Sequence, residues 1–380
     1  MIGNVTKKAV FSLVMAAFAL LAIEVLIILC EPWLFRGFYE YDRELGFRVR
    51  PGADGSNRFG FNDRDYPLQK EPGAYRIVFA GDSFSWMGGQ EWNYTVLLER
   101  LFEEHFGAHR VDVINTGYSM TATGEQLAML RKFGLQYNPD RVVLGFFAGN
   151  DVCDAVRHRK RIVVGDMYFD IDARNERLFL GRPMVGRWRL AAFVKQRWKL
   201  HTSAEKPRTR GEPIVFEPDV YLEVERQRMQ VCNTARLARG DFAGEYGLAF
   251  ENLAAMQDLL AARNIGFTVA IYPDEFQVSG VLASNVFAKV GLDPADYDLA
   301  LVQKKIGAFL AGRGVPYVDL LDPFLREAKE RDLYLPRNTH WNEAGNRLAA
   351  QLLFDYLLPA VERGWAPHAG AGSLEVGRFR

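Results

Sequence analysis

The sequence lacks both a metal-ligand spacing and an excess of charge of one sign. Its six histidines are scattered along 380 residues, and no His-Glu-x-x-His pattern occurs among them. The 47 basic residues balance 47 acidic ones, so the composition gives no electrostatic basis for binding nucleic acid. We therefore expect no metal site, no cofactor and no nucleic-acid partner.

Cysteine is scarce. The chain has three cysteines, Cys30, Cys153 and Cys232. In an oxidising compartment Cys153 and Cys232 could form one disulfide, which would be consistent with export. Two free buried thiols are the equal alternative, because the sequence does not give the distance between the two side chains.

The N-terminus contains a long apolar run. Residues 9–30 are apolar apart from Glu24, and 22 residues are enough to cross a bilayer as a helix. Lys7 and Lys8 precede the run, which predicts a cytoplasmic N-terminus and export of the rest of the chain. Since no small-residue cleavage site is evident, we expect an uncleaved single-pass anchor in the inner membrane and a periplasmic location for the rest of the chain. Glu24 indicates a functional or helix-pairing role, or else a tolerated charge near one end of the anchor.

The motif Gly81-Asp82-Ser83-Phe84 directly follows the apolar run of residues 76–80. A run of this kind bounded by glycine predicts a buried parallel strand. A serine on the turn between a strand and a helix lies beside free backbone N–H groups, which suits a nucleophile. Alone the motif is a weak signal, because the same residues are common in turns and helix caps.

Three later segments also carry polar residues, two of them at the ends of predicted strands. They are residues 113–117 ending in Gly117, residues 142–151 ending in Asn150-Asp151, and the segment Asn338-Thr339-His340-Trp341-Asn342 near the C-terminus. Taken singly, each segment also has a purely structural interpretation, as a turn glycine, a helix cap and a surface histidine respectively. Their joint occurrence in this order argues against the purely structural interpretation.

On these four blocks the chain resembles the SGNH, or GDSL-type, hydrolase family, whose blocks carry Ser, Gly, Asn and His in that order. The resemblance implies that Ser83 is a nucleophile and that His340 is its general base. It also implies an oxyanion hole made by the backbone N–H groups of Ser83 and Gly117 and the side-chain amide of Asn150. Two further residues of these blocks are assigned supporting roles: Asp82 and Asp151.

The sequence departs from the family pattern at one position. The family usually has an aspartate two or three residues before the histidine, and here those positions are Asn338 and Arg337. In a serine protease, replacing the orienting Asp by Asn lowers turnover about 10⁴-fold. We assign Asn338 as a neutral orienting residue of the catalytic set. The alternatives are a distant acid such as Asp332 or Asp322, a Ser–His dyad with a backbone carbonyl, or a weak or inactive enzyme.

Apolar runs and helical stretches alternate along the chain. Strands are predicted near residues 75–80, 111–115, 141–147, 266–271 and 316–319, and helices near 94–106, 122–133, 245–264, 297–312 and 343–358. This alternation predicts an α/β fold, a three-layer α/β/α sandwich with a doubly wound, mostly parallel five-stranded sheet. The resemblance implies a flavodoxin-like order. Ser83, Gly117 and Asn150 all follow strand ends, where active sites of such sheets lie.

Five segments are predicted: a transmembrane anchor (1–36), a leader strap (37–74), a catalytic domain (75–154 and 241–365), an inserted cap (155–240) and a flexible tail (366–380). From Arg157 to Glu212 the cap has fifteen Lys or Arg against six Asp or Glu. Within it, residues 167–171 and 177–180 predict a hairpin. The cap either contacts an anionic glycan or lipid headgroups, with Trp188 and Trp198 as stacking surfaces, or is a solvated amphipathic surface.

These observations predict an exported, membrane-anchored serine esterase or acyltransferase that acts on O-acyl groups, O-acetyl above all, of an envelope carbohydrate. Export and the resemblance imply the carbohydrate, and no motif separates hydrolysis from transfer. The alternatives are a glycan-binding or assembly protein without its orienting acid, supported by Asn338, and a lipid-directed esterase, favoured by the anchor and the basic cap. The expected partners are the carbohydrate ester, the membrane through residues 9–30, and proteins of envelope polysaccharide assembly.

Overall fold

The computed structural model of the protein describes residues 2–34, 38–157, 161–164, 167–170, 178–179, 182–183, 188–202 and 215–365. The predicted tail, 366–380, lies outside them. The helices and strands are, in chain order, α1 (Ile2–Leu34), β1 (Tyr39–Asp42), β2 (Gly46–Val49), β3 (Tyr75–Ala80), α2 (Gly89–Trp92), α3 (Tyr94–Phe106), β4 (Val111–Asn115), α4 (Thr123–Lys132), β5 (Arg141–Phe147), α5 (Asp151–Arg157), β6 (Arg161–Val164), β7 (Met167–Asp170), β8 (Leu178–Phe179), β9 (Arg182–Pro183), α6 (Arg189–Thr202), α7 (Pro218–Met229), α8 (Thr234–Ala238), α9 (Ala243–Ala261), β10 (Gly266–Tyr272), α10 (Glu275–Val278), α11 (Gly280–Val290), α12 (Leu301–Gly312), β11 (Tyr317–Asp319), α13 (Leu321–Glu327) and α14 (Glu343–Trp365).

The chain divides into two compact units. The first comprises Met1–Asp54 and Arg159–Arg210, and the second comprises Gly55–His158 and Gly211–Arg380. We call them the anchor unit and the catalytic unit. The anchor unit contains α1, whose stretch Lys7–Cys30 has a mean hydropathy of 2.9 and is the one helix among the described residues that is long and apolar enough to cross a membrane.

A five-stranded sheet organises the catalytic unit. Its strands are parallel and lie in the order β11-β10-β5-β3-β4. Counted from the first strand of the sheet along the chain, this is the 2-1-3-4-5 order of the flavodoxin-like arrangement, in which the strand order reverses beside the first strand. The predicted fold class is confirmed. The five predicted strands and their intervening helices are present within a few residues of the predicted bounds.

Apolar side chains cover both faces of the sheet, as a parallel sheet requires. Because side chains alternate along a strand, Val78 of β3 lies in one core, with residues of α4, α9 and α12. Its neighbour Ile77 lies in the other, with residues of α3, α13 and α14. Helix α14 continues to Trp365 through Pro359, beyond the predicted end at residue 358. Buried Leu357 and Val361 on either side of the proline stabilise this extension by packing.

Two antiparallel hairpins of the anchor unit correct the predicted pairing inside the cap. Strand β7 pairs with β6, which precedes it, and β8 pairs with β9. The prediction that residues 167–171 pair with residues 177–180 was therefore wrong. Two residues separate β6 from β7 along the chain and seven separate β7 from β8, so pairing with β6 needs the shorter connection.

The boundaries of the two units do not coincide with those of the predicted strap and cap. Each of these predicted segments is shared between the two units. The strap contributes the β1–β2 hairpin to the anchor unit and residues from Gly55 onward to the catalytic unit. The cap contributes β6 to α6 to the anchor unit, whereas α7 contacts α11 within the catalytic unit. The five predicted segments otherwise stay a prediction.

None of the three cysteines, all of which the structure describes, is in a disulfide. Cys232 is buried, and its Sγ lies 3.6 Å from the carbonyl oxygen of Leu299, while Cys30 and Cys153 are half-buried. The disulfide between Cys153 and Cys232 is therefore absent, and of the two buried thiols that the sequence offered as the alternative, Cys232 is the fully buried one. Burial raises the pKa of the Cys232 thiol, so it stays protonated and unreactive.

Candidate active site

Ser83 lies on the turn after β3, at the carboxyl edge of the sheet. Its carbonyl oxygen accepts hydrogen bonds from the N–H groups of Trp86 at 3.1 Å and Met87 at 2.9 Å, which closes a single helical turn. The long helix α3 begins only later, so Ser83 starts a tight turn and not a long helix. A Cβ atom on Gly81 would lie 2.6 Å from the Oγ of Ser85, so the turn packs this closely only with glycine there.

Leader residues of the catalytic unit support this turn and the neighbouring strand end. The Nδ2 atom of Asn62 donates to the carbonyl of Trp86 at 2.6 Å. The Oδ2 atom of buried Asp63 accepts from the N–H of Asn115 at 2.7 Å. Neither residue was given a role from the sequence, which predicted only a leader strap over residues 37–74.

His340, in the loop before α14, faces Ser83. Its Nε2 atom lies 2.8 Å from Ser83 Oγ, and its Nδ1 atom lies 2.6 Å from Asn338 Oδ1 and 3.0 Å from the Asn338 carbonyl oxygen. The backbone carbonyl can only accept, so Nδ1 is the ring nitrogen that carries hydrogen. The Nε2 lone pair then faces the Ser83 hydroxyl, as general-base catalysis requires.

Asn338 occupies the place of the missing aspartate. It is buried, and its side chain and main chain both contact the imidazole. Among the described residues neither Asp332 nor Asp322 hydrogen-bonds to the ring. The sequence offered a neutral side chain and a backbone carbonyl as alternative partners of His340. In the structure Asn338 supplies both groups.

The imidazole is held in its neutral form. Burial lowers the pKa of His340 to about 4, the nearby Arg228 cation acts in the same direction, and the hydrogen bond to the Asn338 backbone acts in the opposite direction. A carboxylate at position 338 would raise this pKa further, whereas the Asn338 side chain carries no charge that could do so. At pH 7 the ring can accept the serine proton, but the imidazolium gains no stabilisation from an adjacent charge.

A cluster of one arginine and two carboxyl groups, which the sequence interpretation missed, lies next to His340. Arg228 of α7 donates from Nη1 to Glu225 Oε1 at 3.0 Å and to the hydroxyl of Thr339 at 2.6 Å, and the same atom lies 3.8 Å from Asp274 Oδ2. Burial raises the pKa of both carboxyls above the ordinary value. The sequence placed α7 in the cap, and its spacing gave no signal of a contact with the histidine loop.

The cluster also reaches the strand end that carries Asn150. A Cβ atom on Gly149 would lie 1.9 Å from Asp274 Oδ2, so the Gly149–Asn150 turn packs directly on this carboxyl. Asp274 follows the carboxyl end of β10 (Gly266–Tyr272). In the structure Asp274 links the Arg228 cluster to this turn.

The predicted oxyanion donors differ in availability. In the part of the chain that the structure describes, the N–H of Ser83 has no hydrogen-bond partner, and neither has the side-chain amide of Asn150, whose Oδ1 atom is buried. The N–H of Gly117 instead donates to Asn115 Oδ1 at 2.8 Å. Of the three predicted oxyanion donors, the N–H of Ser83 and the side-chain amide of Asn150 are therefore available to a ligand. The donor role of Gly117 stays a prediction.

Two buried carboxyls lie behind these turns, Asp82 and Asp151. Asp82 accepts from the N–H of Phe84 at 3.0 Å, and Asp151 accepts from the N–H of Phe147 at 2.8 Å, so each closes a turn beside a predicted site residue. Burial raises the pKa of Asp82 to about 7 against the lowering effect of Arg228. Burial, and then the charge of Asp82, raises the pKa of Asp151. Their supporting role is consistent with these turn contacts.

Comparison with known proteins gives a family match. Residues 79–348, well over half of the chain, match the model of the GDSL-like Lipase/Acylhydrolase family. No curated protein sequence matches the chain. Similar solved structures include the lipase/acylhydrolase from Enterococcus faecalis (13% identity, 75% of this chain and 96% of that chain, TM-score 0.35). Another is the acetyl xylan esterase AlAXEase (16% identity, 75% of this chain and 99% of that chain, TM-score 0.37). A third is the psychrotrophic esterase EstA from Pseudoalteromonas sp. (13% identity, 76% of this chain and 98% of that chain, TM-score 0.37).

Proposed function

The chain belongs to the GDSL-like lipase/acylhydrolase family, and on this basis we propose that it is a membrane-anchored serine esterase or acyltransferase with its acyl-enzyme on Ser83. The proposed substrate is an O-acyl, in particular an O-acetyl, ester of an envelope carbohydrate. The observation that carries the chemistry is the 2.8 Å contact between Ser83 Oγ and His340 Nε2, with Nδ1 held by two oxygens of Asn338.

In the first step Ser83 Oγ attacks the ester carbonyl carbon while His340 Nε2 takes the hydroxyl proton. The oxyanion accepts hydrogen bonds from the Ser83 N–H and the Asn150 amide. The bond from carbon to the alcohol oxygen then breaks, and His340 returns its proton to the leaving alcohol. The acyl group stays on Ser83.

In the second step an acceptor hydroxyl attacks the acyl-enzyme. His340 takes the acceptor's proton, the bond to Ser83 Oγ breaks, and the proton returns to the serine. Water as acceptor releases a carboxylic acid, whereas a sugar hydroxyl yields a new ester. Because Asn338 is neutral, the imidazolium formed in both steps is stabilised by dipoles alone.

The proposed location is a single-pass anchor with the N-terminus in the cytoplasm and the catalytic unit outside. It is supported by the apolar stretch Lys7–Cys30 and by Lys7 and Lys8 at its start. An exported catalytic unit would meet envelope carbohydrate, which is the reason for preferring a glycan ester to a soluble metabolite.

The first test is the reaction of the full chain with a serine-reactive phosphonate, read by intact mass. We expect one adduct on the wild type and none on Ser83→Ala or His340→Ala. Ser284→Ala is the matched control, because that serine is exposed on α11 and its variant should label fully. No adduct on folded wild-type protein would overturn the acyl-enzyme and favour the glycan-binding protein.

A second test separates the substrate classes. Turnover of p-nitrophenyl acetate is compared with that of p-nitrophenyl palmitate, and release of acetate is measured from an acetylated polysaccharide with and without an acceptor sugar. Preference for the acetyl ester supports the proposed substrate, and preference for the palmitoyl ester favours the lipid-directed esterase.

A further inference from the structure

The apolar stretch Lys7–Cys30 contains a carboxylate, and the structure gives it a specific partner. Glu24 Oε1 accepts a hydrogen bond from the N–H of Arg189 at 2.6 Å, and Oε2 accepts one from the N–H of Leu190 at 2.9 Å. Arg189 and Leu190 are the first two residues of α6. A carboxylate in a membrane span is costly and is expected to have a protein partner, and here the partner is the start of a second helix.

This contact is a helix cap built between two helices. The first N–H groups of an α-helix have no partner within the helix, and that end carries partial positive charge. Glu24 satisfies two of these groups and complements the charge. One turn further along α1, Ile27 and Ile28 are buried, and α1 contacts α6. The cap is therefore part of a packed helix pair.

The position of Glu24 sets the depth at which α6 begins. Glu24 lies six residues before Cys30, the end of the apolar stretch, and a rise of about 1.5 Å per residue places it about 9 Å inside that end. Helices that lie in the plane of a membrane interface bury their apolar face about 5–10 Å into the boundary between headgroups and acyl chains. The start of α6 is therefore at the depth of an interfacial helix.

The outer surface of α6 fits the same environment. Val194 and Trp198, four residues apart on one side of the helix, are 54% and 72% exposed, and Trp188 just before the helix is 51% exposed. Exposed Lys195 lies beside them, and the sequence of α6 contains no acidic residue, while Arg189 at the start of the helix is buried. Tryptophan prefers the membrane interface, and basic side chains there attract anionic headgroups.

We propose that α6 is an interfacial membrane helix that binds anionic phospholipid beside α1 and is held in place by Glu24. The proposal rests on the proposed anchor and adds a second membrane element, whose exposed apolar side chains and Lys195 contact the bilayer. It also gives the carboxylate in the span a function, since the cap fixes the depth of α6 relative to α1.

The test uses the full chain in vesicles of phosphatidylcholine and phosphatidylglycerol, with spin labels at single cysteines in a background where the three native cysteines are replaced. Accessibility to oxygen and to a nickel chelate reports depth. We expect labels at Val194→Cys and Phe18→Cys to be oxygen-accessible and protected from nickel. The control Val281→Cys, an exposed apolar position of α11, should be nickel-accessible.

The outcomes separate the two proposals. A nickel-accessible label at Phe18 would overturn the anchor and the interfacial helix together. A lipid-embedded label at Phe18 with a nickel-accessible label at Val194 would leave the anchor standing and overturn the interfacial helix. Vesicles of phosphatidylcholine alone should make the Val194 label shallower, and an unchanged depth would overturn the recognition of anionic lipid.

Two readouts keep the native cysteines. Quenching by brominated lipid should be weaker in Trp198→Phe than in the wild type, and equal quenching would count against the proposal. Hydrogen exchange at Arg189 and Leu190 should be at least tenfold faster in Glu24→Leu, with a smaller effect in Glu24→Gln, which retains one acceptor oxygen. Unchanged exchange in Glu24→Leu would overturn the cap.

Discussion

Arg228 donates a hydrogen bond at 2.6 Å to the hydroxyl of Thr339, the residue directly before His340. Thr339 has a backbone φ of +72°, in the left-handed region that a β-branched residue rarely adopts. Its hydroxyl also lies 3.1 Å from Glu225 Oε1, to which Arg228 is paired. The ion pair thus holds a strained residue in the position that places the imidazole, in line with the concentration of such strain at functional sites.

We expect Arg228→Gln to move the acidic limb of the pH–activity profile to higher pH. His340 accepts a proton only while neutral, so activity falls as the pH drops through its pKa, which is about 4 with Arg228 present. Removing the cation favours the imidazolium and raises that pKa. Initial rates of p-nitrophenyl acetate hydrolysis between pH 3.5 and 8 measure the shift.

Arg228→Lys is the matched control, because lysine retains the charge and loses the guanidinium geometry. Its acidic limb should stay near that of the wild type even where kcat falls. Coincident limbs for the wild type and Arg228→Gln would show that the Arg228 charge does not act on His340.

The variants Asn338→Ala and Asn338→Asp test the neutral orienting residue. We expect Asn338→Ala to lower kcat roughly tenfold or more with little change in KM, because one of the two acceptors of Nδ1–H is lost and general-base geometry is worth about 10²–10⁴-fold in rate. Asn338→Asp should retain turnover and move the acidic limb to higher pH, since its carboxylate stabilises the imidazolium. Full turnover in Asn338→Ala would show that the backbone carbonyl suffices.

The sheet and the serine turn could be predicted from the sequence because their signals are local. Buried parallel strands are continuous apolar runs, and the motif Gly81-Asp82-Ser83 directly follows the one at residues 76–80. Parallel strands align their carboxyl ends, so the topology alone brings the neighbourhoods of Ser83 and Asn150 to one edge. The pairing of His340 with Ser83 required the four-block family order, since 257 positions separate the two residues.

The Arg228 cluster could not be predicted in this way. Arg228 and Glu225 lie three residues apart on α7, and this spacing is also that of an ordinary surface ion pair on a helix. Glu225 is buried only because α7 packs in the catalytic unit, a tertiary event that leaves no periodic trace. The contact of Glu24 with α6 is similar: the sequence indicated a costly carboxylate, and the second helix that it caps begins 165 residues later.

Gly117→Ala should destabilise the catalytic unit whether or not Gly117 acts as an oxyanion donor. A Cβ atom there would lie 2.0 Å from Ser85 Cβ, and Ser85 is itself held by a 2.6 Å hydrogen bond to Tyr94. We expect a loss of about 1–3 kcal/mol or more in the free energy of unfolding. Urea unfolding of the full chain in detergent measures it.

Gly247→Ala provides the control for glycine substitution as such. Gly247 lies inside α9, and no other side chain or neighbouring element comes within 4 Å of the place that an alanine Cβ atom would take. Alanine should therefore stabilise the protein by about 0.5–1 kcal/mol. Equal effects of the two substitutions would contradict the close approach of Gly117 to Ser85.

Arg76→Met should be among the most destabilising single changes in the catalytic unit. Buried Arg76 pairs with Asp112 at 2.8 Å and donates to the carbonyl of Tyr137 at 2.9 Å, so its removal leaves a carboxylate without its cation. Breaking one partner of a buried pair costs about 3–5 kcal/mol. Arg347→Met, which removes an exposed pair with Glu343 on α14, should cost less than about 1 kcal/mol by the same unfolding measurement. We attribute the larger loss in Arg76→Met to the burial of the carboxylate that is left without its cation. Similar losses of unfolding free energy in both variants would contradict this explanation.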